Sequence, residues 1–415
     1  MNILFDFLTF RVKTGAGEYG RRILYELLST INSKKEYNLY ALYDSTYTIA
    51  YDDLNENSLK HKYNISFIDC KNTNIANIIK KENIDRFFIS CGHYFTGRND
   101  IINIQCDTIC VIHDLYGEEN VSNKIYHYID LIDHNANGKK IFRYHRILKH
   151  IPLINKYINK IDNFGYDYLI SGGKDKYSSF TNHIIPAIKL AQNNPHCKLI
   201  TVSEYSKYSI CYNFHFSTND IQVLYSPERL YATSNTIHNE ILRKLILNKQ
   251  HFYLMVSANR KAKNPIKVIN AFKEYSKTHP NVYLVTVGDA TKYFENHLCL
   301  PFLEESDLTE AYKNCYALIF SSFFEGFGYP PLEAMHYGKP VLCSNTTSMP
   351  EIFENAPIYF SPFYESGIFK ALCELTEFNY NEYSNKSFYQ YNKIKKRQTA
   401  DLQKIISMII SPIQK

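Results

Sequence analysis

The feature that most constrains this chain is a rhythm that starts, stops and starts again. Short runs of apolar, β-branched and aromatic residues alternate with segments of helical periodicity, the pattern of parallel sheets assembled from strand-helix-strand units. The first series reads NILFDFL, YNLYALY, NISFID, RFFIS, TICVIHD, YDYLI, KLITVS and IQVLYS. A polar, strandless stretch rich in Asn, Thr and Ser follows around Ala232 to His238. The rhythm then restarts at FYLMVSA and continues through VYLVTVG, YALIF, PVLCS and PIYF. Each series suffices for one doubly wound sheet, and 415 residues is about twice the usual size of a domain. The expected architecture is α/β, with one doubly wound domain over 1–235 and a second over 236–395. A terminal helix within 396–415 is expected to pack back toward the first domain. Two helices are predicted around the second series: Pro265 to Tyr275, and Thr399 to Ile410 with its apolar stripe at Leu402, Ile405, Ile406 and Ile409.

Composition excludes several other classes. The ten cysteines are scattered, without the paired spacing of a zinc or redox site, and read as reduced thiols in a cytosolic protein. A formal charge of +6 is too mild for a nucleic-acid binder of this length. The opening MNILFDFLTF has no basic n-region and no run of eighteen uncharged apolar residues occurs, so neither a signal peptide nor a membrane span is expected. Between Lys139 and Lys160 lie seven Lys or Arg and no acidic residue, interleaved with Ile, Phe, Tyr and Leu. A solvated helix face accounts for this; the sharper reading is peripheral contact with anionic membrane lipid.

The chemistry concentrates in FFEGFGYPPLEAMHYGKPVLCS, residues 323–344. The strand YALIF ends just before it, at the carboxyl edge of a parallel sheet where open α/β folds bind ligands. Gly326 and Gly328 let the backbone turn and approach a ligand closely. One of Pro330 and Pro331 suits the first position of a helix running through Glu333 and Met335. Exposed amides leading into a helix N-terminus hold phosphate well. Glu325 and Glu333 flank the loop eight positions apart, and a carboxylate can accept two hydroxyl donors of a sugar or ribose. Either glutamate alone would also pass as a loop charge or a helix-dipole partner.

The stretch EGFGYPPLEAM resembles the glutamate-seven-residues-glutamate motif of retaining glycosyltransferases of family 4, glycosyl transferases group 1. Other segments agree in order: GAGEYGRRILYELL with that family's first glycine loop and helix, VIHDL with its central histidine segment, ITVSEYSK with its serine-rich turn, and VSANRKAKN with its Arg/Lys phosphate loop. LVTVGD resembles the strand that follows, and LTEAYKNCYALIFSSFFEGFG the approach to the glutamates. The resemblance implies the GT-B fold, two Rossmann-like domains facing across a cleft. It implies that Glu333 holds the donor ribose, that Glu325 contacts hydroxyls of the transferred sugar, and that the amides of Phe327 and Gly328 face sugar or phosphate oxygens. Arg260 and Lys263 would counter the charge growing on the departing diphosphate. Because the loop reads NRKAKN, whether Lys261 or Lys263 takes that place stays open.

Gly15 and Gly17 precede a helix with the stripe Ile23, Leu24, Leu27, Leu28 and Ile31, and could present amides to the diphosphate from the other domain; a simple tight turn explains them as well. His113 resembles the family histidine that faces sugar and acceptor, with Asp114 beside it orienting the loop, while Glu204 is assigned no chemistry. No Asp-x-Asp motif and no cluster with metal-ligand spacing occurs, so no cofactor or divalent metal is expected, and cations and a helix dipole would take the metal's place. The resemblance implies retention through an oxocarbenium-like transition state, with a nucleotide-sugar donor. The acceptor would be a saccharide or lipid-linked saccharide in surface polysaccharide synthesis, in the cytoplasm or at the inner membrane face. A nucleotide-sugar epimerase of the same fold and a non-catalytic nucleotide-sugar binder are the competing readings.

Overall fold

The structure, a computed structural model, describes residues 1–32, 34, 36–115, 183–230, 236–288 and 291–413. The basic segment 139–160, the run YDYLI and most of the polar stretch around 232–238 lie outside the described residues.

Two parallel sheets carry the fold. The first holds β1 Asn2–Asp6, β2 Asn38–Tyr43, β3 Ile65–Asp69, β4 Arg86–Ile89, β5 Asp107–Ile112, β6 Cys197–Thr201 and β7 Ile221–Val223, in the order β3-β2-β1-β4-β5-β6-β7. The second holds β8 His251–Met255, β9 Val282–Val287, β10 His297–Leu300, β11 Ala317–Phe320, β12 Val341–Ser344 and β13 Ile358–Phe360, in the order β10-β9-β8-β11-β12-β13. Near-continuous apolar strands such as Leu4–Phe5 and Leu318–Phe320 are buried on both faces, as helix-covered parallel sheets require. In both sheets the strand order reverses once, between β1 and β4 and between β8 and β11, and ligands of open α/β sheets bind outside the carboxyl ends at such points. The two-domain GT-B arrangement read from the sequence is the one observed.

Strand β10 was not anticipated. It is four residues long, begins with His297 and sits at the sheet edge, so it carries too little apolar periodicity to be read. His297 is nonetheless fully buried, with Nε2 2.9 Å from the Thr286 hydroxyl.

The predicted terminal helix is the last part of a much longer one, Tyr380–Ile410, so the division drawn between 395 and 396 falls inside a continuous element. At 1.5 Å per residue its 31 residues span roughly 45 Å. Its first half belongs to the second domain: Ser384 donates to the Gly338 carbonyl at 2.6 Å and Gln390 to that of Ile352 at 2.8 Å. Its second half grips the first domain. Gln398 donates to the Ser226 carbonyl at 2.7 Å, Asp401 accepts the Tyr225 amide at 2.9 Å, and buried Arg86 donates to the carbonyls of Met408, Ile409 and Ser411. Those are the carbonyls a helix C-terminus leaves without partners, so Arg86 acts as its cap. One apolar core accordingly runs from Phe5 and Leu24 through Phe327 to Ile405 and Ile409.

Candidate functional site

The loop after β11 is shaped by side-chain hydrogen bonds rather than by regular structure. Ser321 donates to the Lys263 carbonyl at 2.6 Å, and the Phe323 amide to that of Ala262 at 2.9 Å. From the neighbouring strand, Ser344 donates to the Ser322 carbonyl at 2.7 Å, while Ser348 donates to the Glu325 carbonyl at 2.8 Å and Thr347 accepts the Glu325 amide at 3.1 Å. Three loops, from β8, β11 and β12, are thereby locked together. Inside that lattice the Glu325 carboxylate accepts from Ser322 Oγ at 2.6 Å and pairs with the Lys263 ammonium. Lys263 lies 4.8 Å from the centre of the Phe320 ring and is buried, whereas Lys261 and Arg260 are exposed. Of the two lysines Lys263 is the one turned inward, and its partner there is Glu325.

Gly326 packs against the other domain. A Cβ there would come within 2.4 Å of the His113 carbonyl, so the loop meets the end of β5 backbone to backbone. Gly328 is required for a different reason, a φ of 94° that L side chains rarely adopt, and a Cβ would also meet Met349 at 2.8 Å. Tyr329 opens the helix Tyr329–His336, so the two prolines fall at its second and third positions rather than the first. Gly15 and Gly17 do not precede the helix of the first domain but form its first turn, which lies alongside: a Cβ on Gly15 would stand 3.3 Å from the Tyr329 ring. That turn does not offer all its amides, because Thr14 caps the helix Gly15–Ile31 by accepting the Gly17 amide at 3.2 Å. Gly17 is small for packing, since a Cβ would meet the Tyr51 hydroxyl at 2.4 Å.

Glu333 is 3 % exposed and bonds Arg229, a residue that sequence reasoning missed. Arg229 follows Pro227, whose carbonyl accepts from the Tyr329 hydroxyl at 2.9 Å. It also lies 3.8 Å from Glu18 of the first domain and 3.9 Å from Glu305 of the second. Burial pulls the Arg229 pKa down, but Glu333 and Glu18 outweigh it and hold the guanidinium firmly charged. Burial pushes the Glu18 carboxyl up, against the pull of Arg229 and Arg21. The only advance signal for Arg229 was a cation just before the polar interdomain stretch.

His113 stands at the end of β5 with Nε2 3.0 Å from the Ser90 carbonyl and its ring edge-on to Tyr19 at 4.6 Å. Burial pushes its pKa down to about 4, the Ser90 contact opposing this. The imidazole is neutral at pH 7 and donates through Nε2, leaving Nδ1 as an acceptor. Nearby, Glu351 of the second domain accepts the amides of Glu204 at 2.8 Å and Tyr205 at 2.9 Å, at the N-terminus of the helix Glu204–Phe214. Glu204 thus contributes through its backbone.

The carboxyl edges of both sheets therefore meet, with Glu325, Lys263, Gly328 and Glu333 on one side and His113 and Gly15 on the other; Arg260 stands exposed at the head of the turn Lys261–Lys263. The carboxylates can accept hydroxyl donors and the cations can hold an anion. Among the described residues no three His, Cys, Asp or Glu converge as a metal site, and no helix is long and apolar enough to cross a membrane. A cavity of 500 Å³ lined by Lys249, His251, Tyr316 and Tyr380 opens at the amino ends of β8 and β11, the wrong end of the sheet for this chemistry.

Residues 238–362 match the family described as Glycosyl transferases group 1. The O-antigen chain mannosyltransferase RfbU of Salmonella typhimurium is 28% identical over 200 residues, covering 44% of this chain and 52% of its own. O-antigen chain mannosyltransferase B of Escherichia coli is 43% identical over 63 residues, 15% of this chain and 16% of its own. The chain thus spans about half or less of the curated relatives it matches. Among solved structures, Anabaena Alr3699/HepE in complex with UDP-glucose superposes with a TM-score of 0.63 at 14% identity, covering 99% of this chain and 100% of its own, a likeness of fold.

Proposed function

Because the chain carries a glycosyl transferases group 1 domain on a GT-B fold, we propose that it moves a hexose-type sugar from a nucleotide-sugar donor to a saccharide or lipid-linked saccharide acceptor, in the synthesis of a cell-surface polysaccharide. The observation that carries this reading is the junction of Gly326 with the His113 carbonyl, which brings the Glu325 loop of one sheet against the β5 edge of the other. A donor held by the second domain would have its reacting carbon at that seam, facing an acceptor on the first. The O-antigen mannosyltransferase relatives and the UDP-glucose complex of the structural neighbour support the substrate class.

In this reading Glu333 accepts the ribose hydroxyls, Glu325 the hydroxyls of the transferred sugar, and Arg260 and Lys263 steady the departing diphosphate. The amides of Phe327 and Gly328, and the positive end of the helix Tyr329–His336, add to that charge balance without a divalent ion. Lys263 has a second duty, holding the Glu325 carboxylate. The reaction proceeds with retention through an oxocarbenium-like transition state, the leaving phosphate assisting the acceptor hydroxyl, and His113 contributes Nδ1 as an acceptor toward the sugar or acceptor. The protein works in the cytoplasm or at the inner membrane face.

A thermal-shift screen against GDP, UDP, ADP and dTDP without metal tests the donor site. Saturation at a hundred times the dissociation constant adds about 2.7 kcal/mol, a rise of a few degrees. One nucleotide should shift the wild type and fail to shift Glu333→Gln, chosen because it keeps a partner for half-buried Arg229. Acceptor-dependent release of that nucleotide separates transfer from epimerisation, and proton coupling constants of the product report retention. No shift with any nucleotide would make a non-catalytic role the better reading, and an inverted product would sink the mechanism.

A further inference from the structure

At the switch point of the first sheet, β1 runs into the short turn Leu8–Arg11. A buried polar node fixes that turn. Asp6 accepts the Leu8 amide at 2.8 Å and the Thr9 hydroxyl at 2.5 Å, and Ser90 Oγ stands 3.0 Å from Asp6 and 2.9 Å from Thr9. Phe10 is fully buried, so the next residue, Arg11, is driven out at the sheet edge in a defined place. The carbonyl of the same Ser90 holds His113. One node therefore positions both Arg11 and the histidine at the interdomain seam.

Arg11 is held in an unusual way. Its guanidinium carbon lies 4.8 Å from the ring centre of Tyr47 and 4.8 Å from that of Tyr94. Every other described arginine except Arg260 bonds a carboxylate; Arg11 has none among the described residues. The two arginines without a carboxylate stand at the carboxyl edges of the two sheets, one at each switch point. A guanidinium resting on aromatic faces is oriented and weakly hydrated, and keeps its planar fork of N–H donors for a carboxylate or phosphate. Tyr47 is 50% exposed and offers a face on which a sugar ring can lie. Tyr94 Oη is 3.3 Å from Thr14 Oγ1, the residue that caps the helix beginning at Gly15, so this wall continues to the turn lying against Tyr329. Burial and the nearby Arg11 charge both lower the His183 pKa.

The geometry points to an acceptor subsite in which Arg11, stacked between Tyr47 and Tyr94, binds an anionic group of the acceptor saccharide, a phosphate or a carboxylate. The word acceptor rests on the proposed transferase reading; the anion site does not. Binding is measured by calorimetry with glucose 1-phosphate, glucuronic acid and neutral glucose, with the donor site filled by whichever nucleoside diphosphate binds. At least one charged sugar should bind the wild type about tenfold or more tightly than glucose, as expected for charge-assisted contacts, and which one does so separates phosphate from carboxylate. Arg11→Gln should abolish that preference while nucleotide affinity and melting temperature stay unchanged. Arg11→Lys, which keeps the charge and loses the fork, should retain part of it and covers the case in which the glutamine variant does not fold. Equal binding of charged and neutral sugars, or a preference that survives Arg11→Gln, overturns the proposal. So does a loss of nucleotide affinity as large as the loss of sugar affinity, which would assign Arg11 to the donor diphosphate. An intact Arg11-dependent preference in a protein that transfers no sugar would instead remove the transferase reading and leave the anion site standing.

Discussion

The chain contains two Gly-x-Gly pairs at helix starts, one just before its helix and one in the first turn, and they differ in what the glycines do. In the pair before its helix the backbone turns left-handed at Gly328, leans on the other domain's backbone at Gly326 and carries a glutamate whose carboxylate and flanking groups are fixed by serines and a lysine. At Gly15 and Gly17 no left-handed residue occurs, Thr14 occupies the Gly17 amide, and the missing side chains make room for Tyr329 and Tyr51. The same sequence pattern thus marks a left-handed turn set against the other domain in one place and, in large part, close helix packing in the other. A Gly-x-Gly pair reports proximity to something; only the surroundings say whether that is a ligand or a tyrosine.

Substitutions sharpen the contrast. Glu325→Ala should lower turnover by about a hundredfold or more with folding retained, measured as kcat alongside a melting curve; near-normal turnover would show that the lattice around Glu325 is architectural. Gly328→Ala combines a strained φ with a collision against Met349, and should cost about 2–3 kcal/mol in denaturant unfolding. Gly17→Ala asks that Tyr51 move and that the Val12 carbonyl, 3.1 Å from the added Cβ, give slightly, and should cost about 1 kcal/mol; a loss as large as that of Gly328→Ala would erase the distinction between the two pairs. Thr14→Ala removes the cap and should likewise cost about 1 kcal/mol, without altering nucleotide affinity if the Gly17 amide is structural. The last contrast concerns pH. His113 binds its proton at about 4 when folded against 6.5 as its ordinary value, so the unfolded chain takes up the proton first on acidification. Its contribution to stability is present above pH 6.5 and is lost as pH falls toward 4. His113→Gln should flatten that part of the stability profile, and an unchanged slope would place the histidine in a less buried setting.

Much of this could be read from residue types. Apolar runs of five or six residues announced most of the strands, because a strand buried on both faces must be apolar throughout. The loop of Glu325 was legible because strand end, glycine, proline and carboxylate each have a separate physical reason to be there. The edge strand β10 was not, being short and led by a histidine. Arg229 was invisible because nothing local marks an arginine that reaches Glu333, 104 positions away. The long helix Tyr380–Ile410 was seen only at its apolar end; its first half, facing the second domain, is rich in Tyr, Asn and Lys and gave no clean stripe.

The sequence by itself determined that there are two doubly wound domains, where most strands and a few of the helices fall, and which loop carries the paired glutamates, since these follow from periodicity and backbone preference within a few residues of chain. Only the tertiary structure decided that Lys263 rather than Lys261 turns inward to Glu325, that Arg229 pairs with Glu333, and that one polar node at Asp6 and Ser90 sets both Arg11 and His113. Those are choices among like side chains made by burial and charge pairing between segments far apart in the chain. Local sequence does not encode such distances.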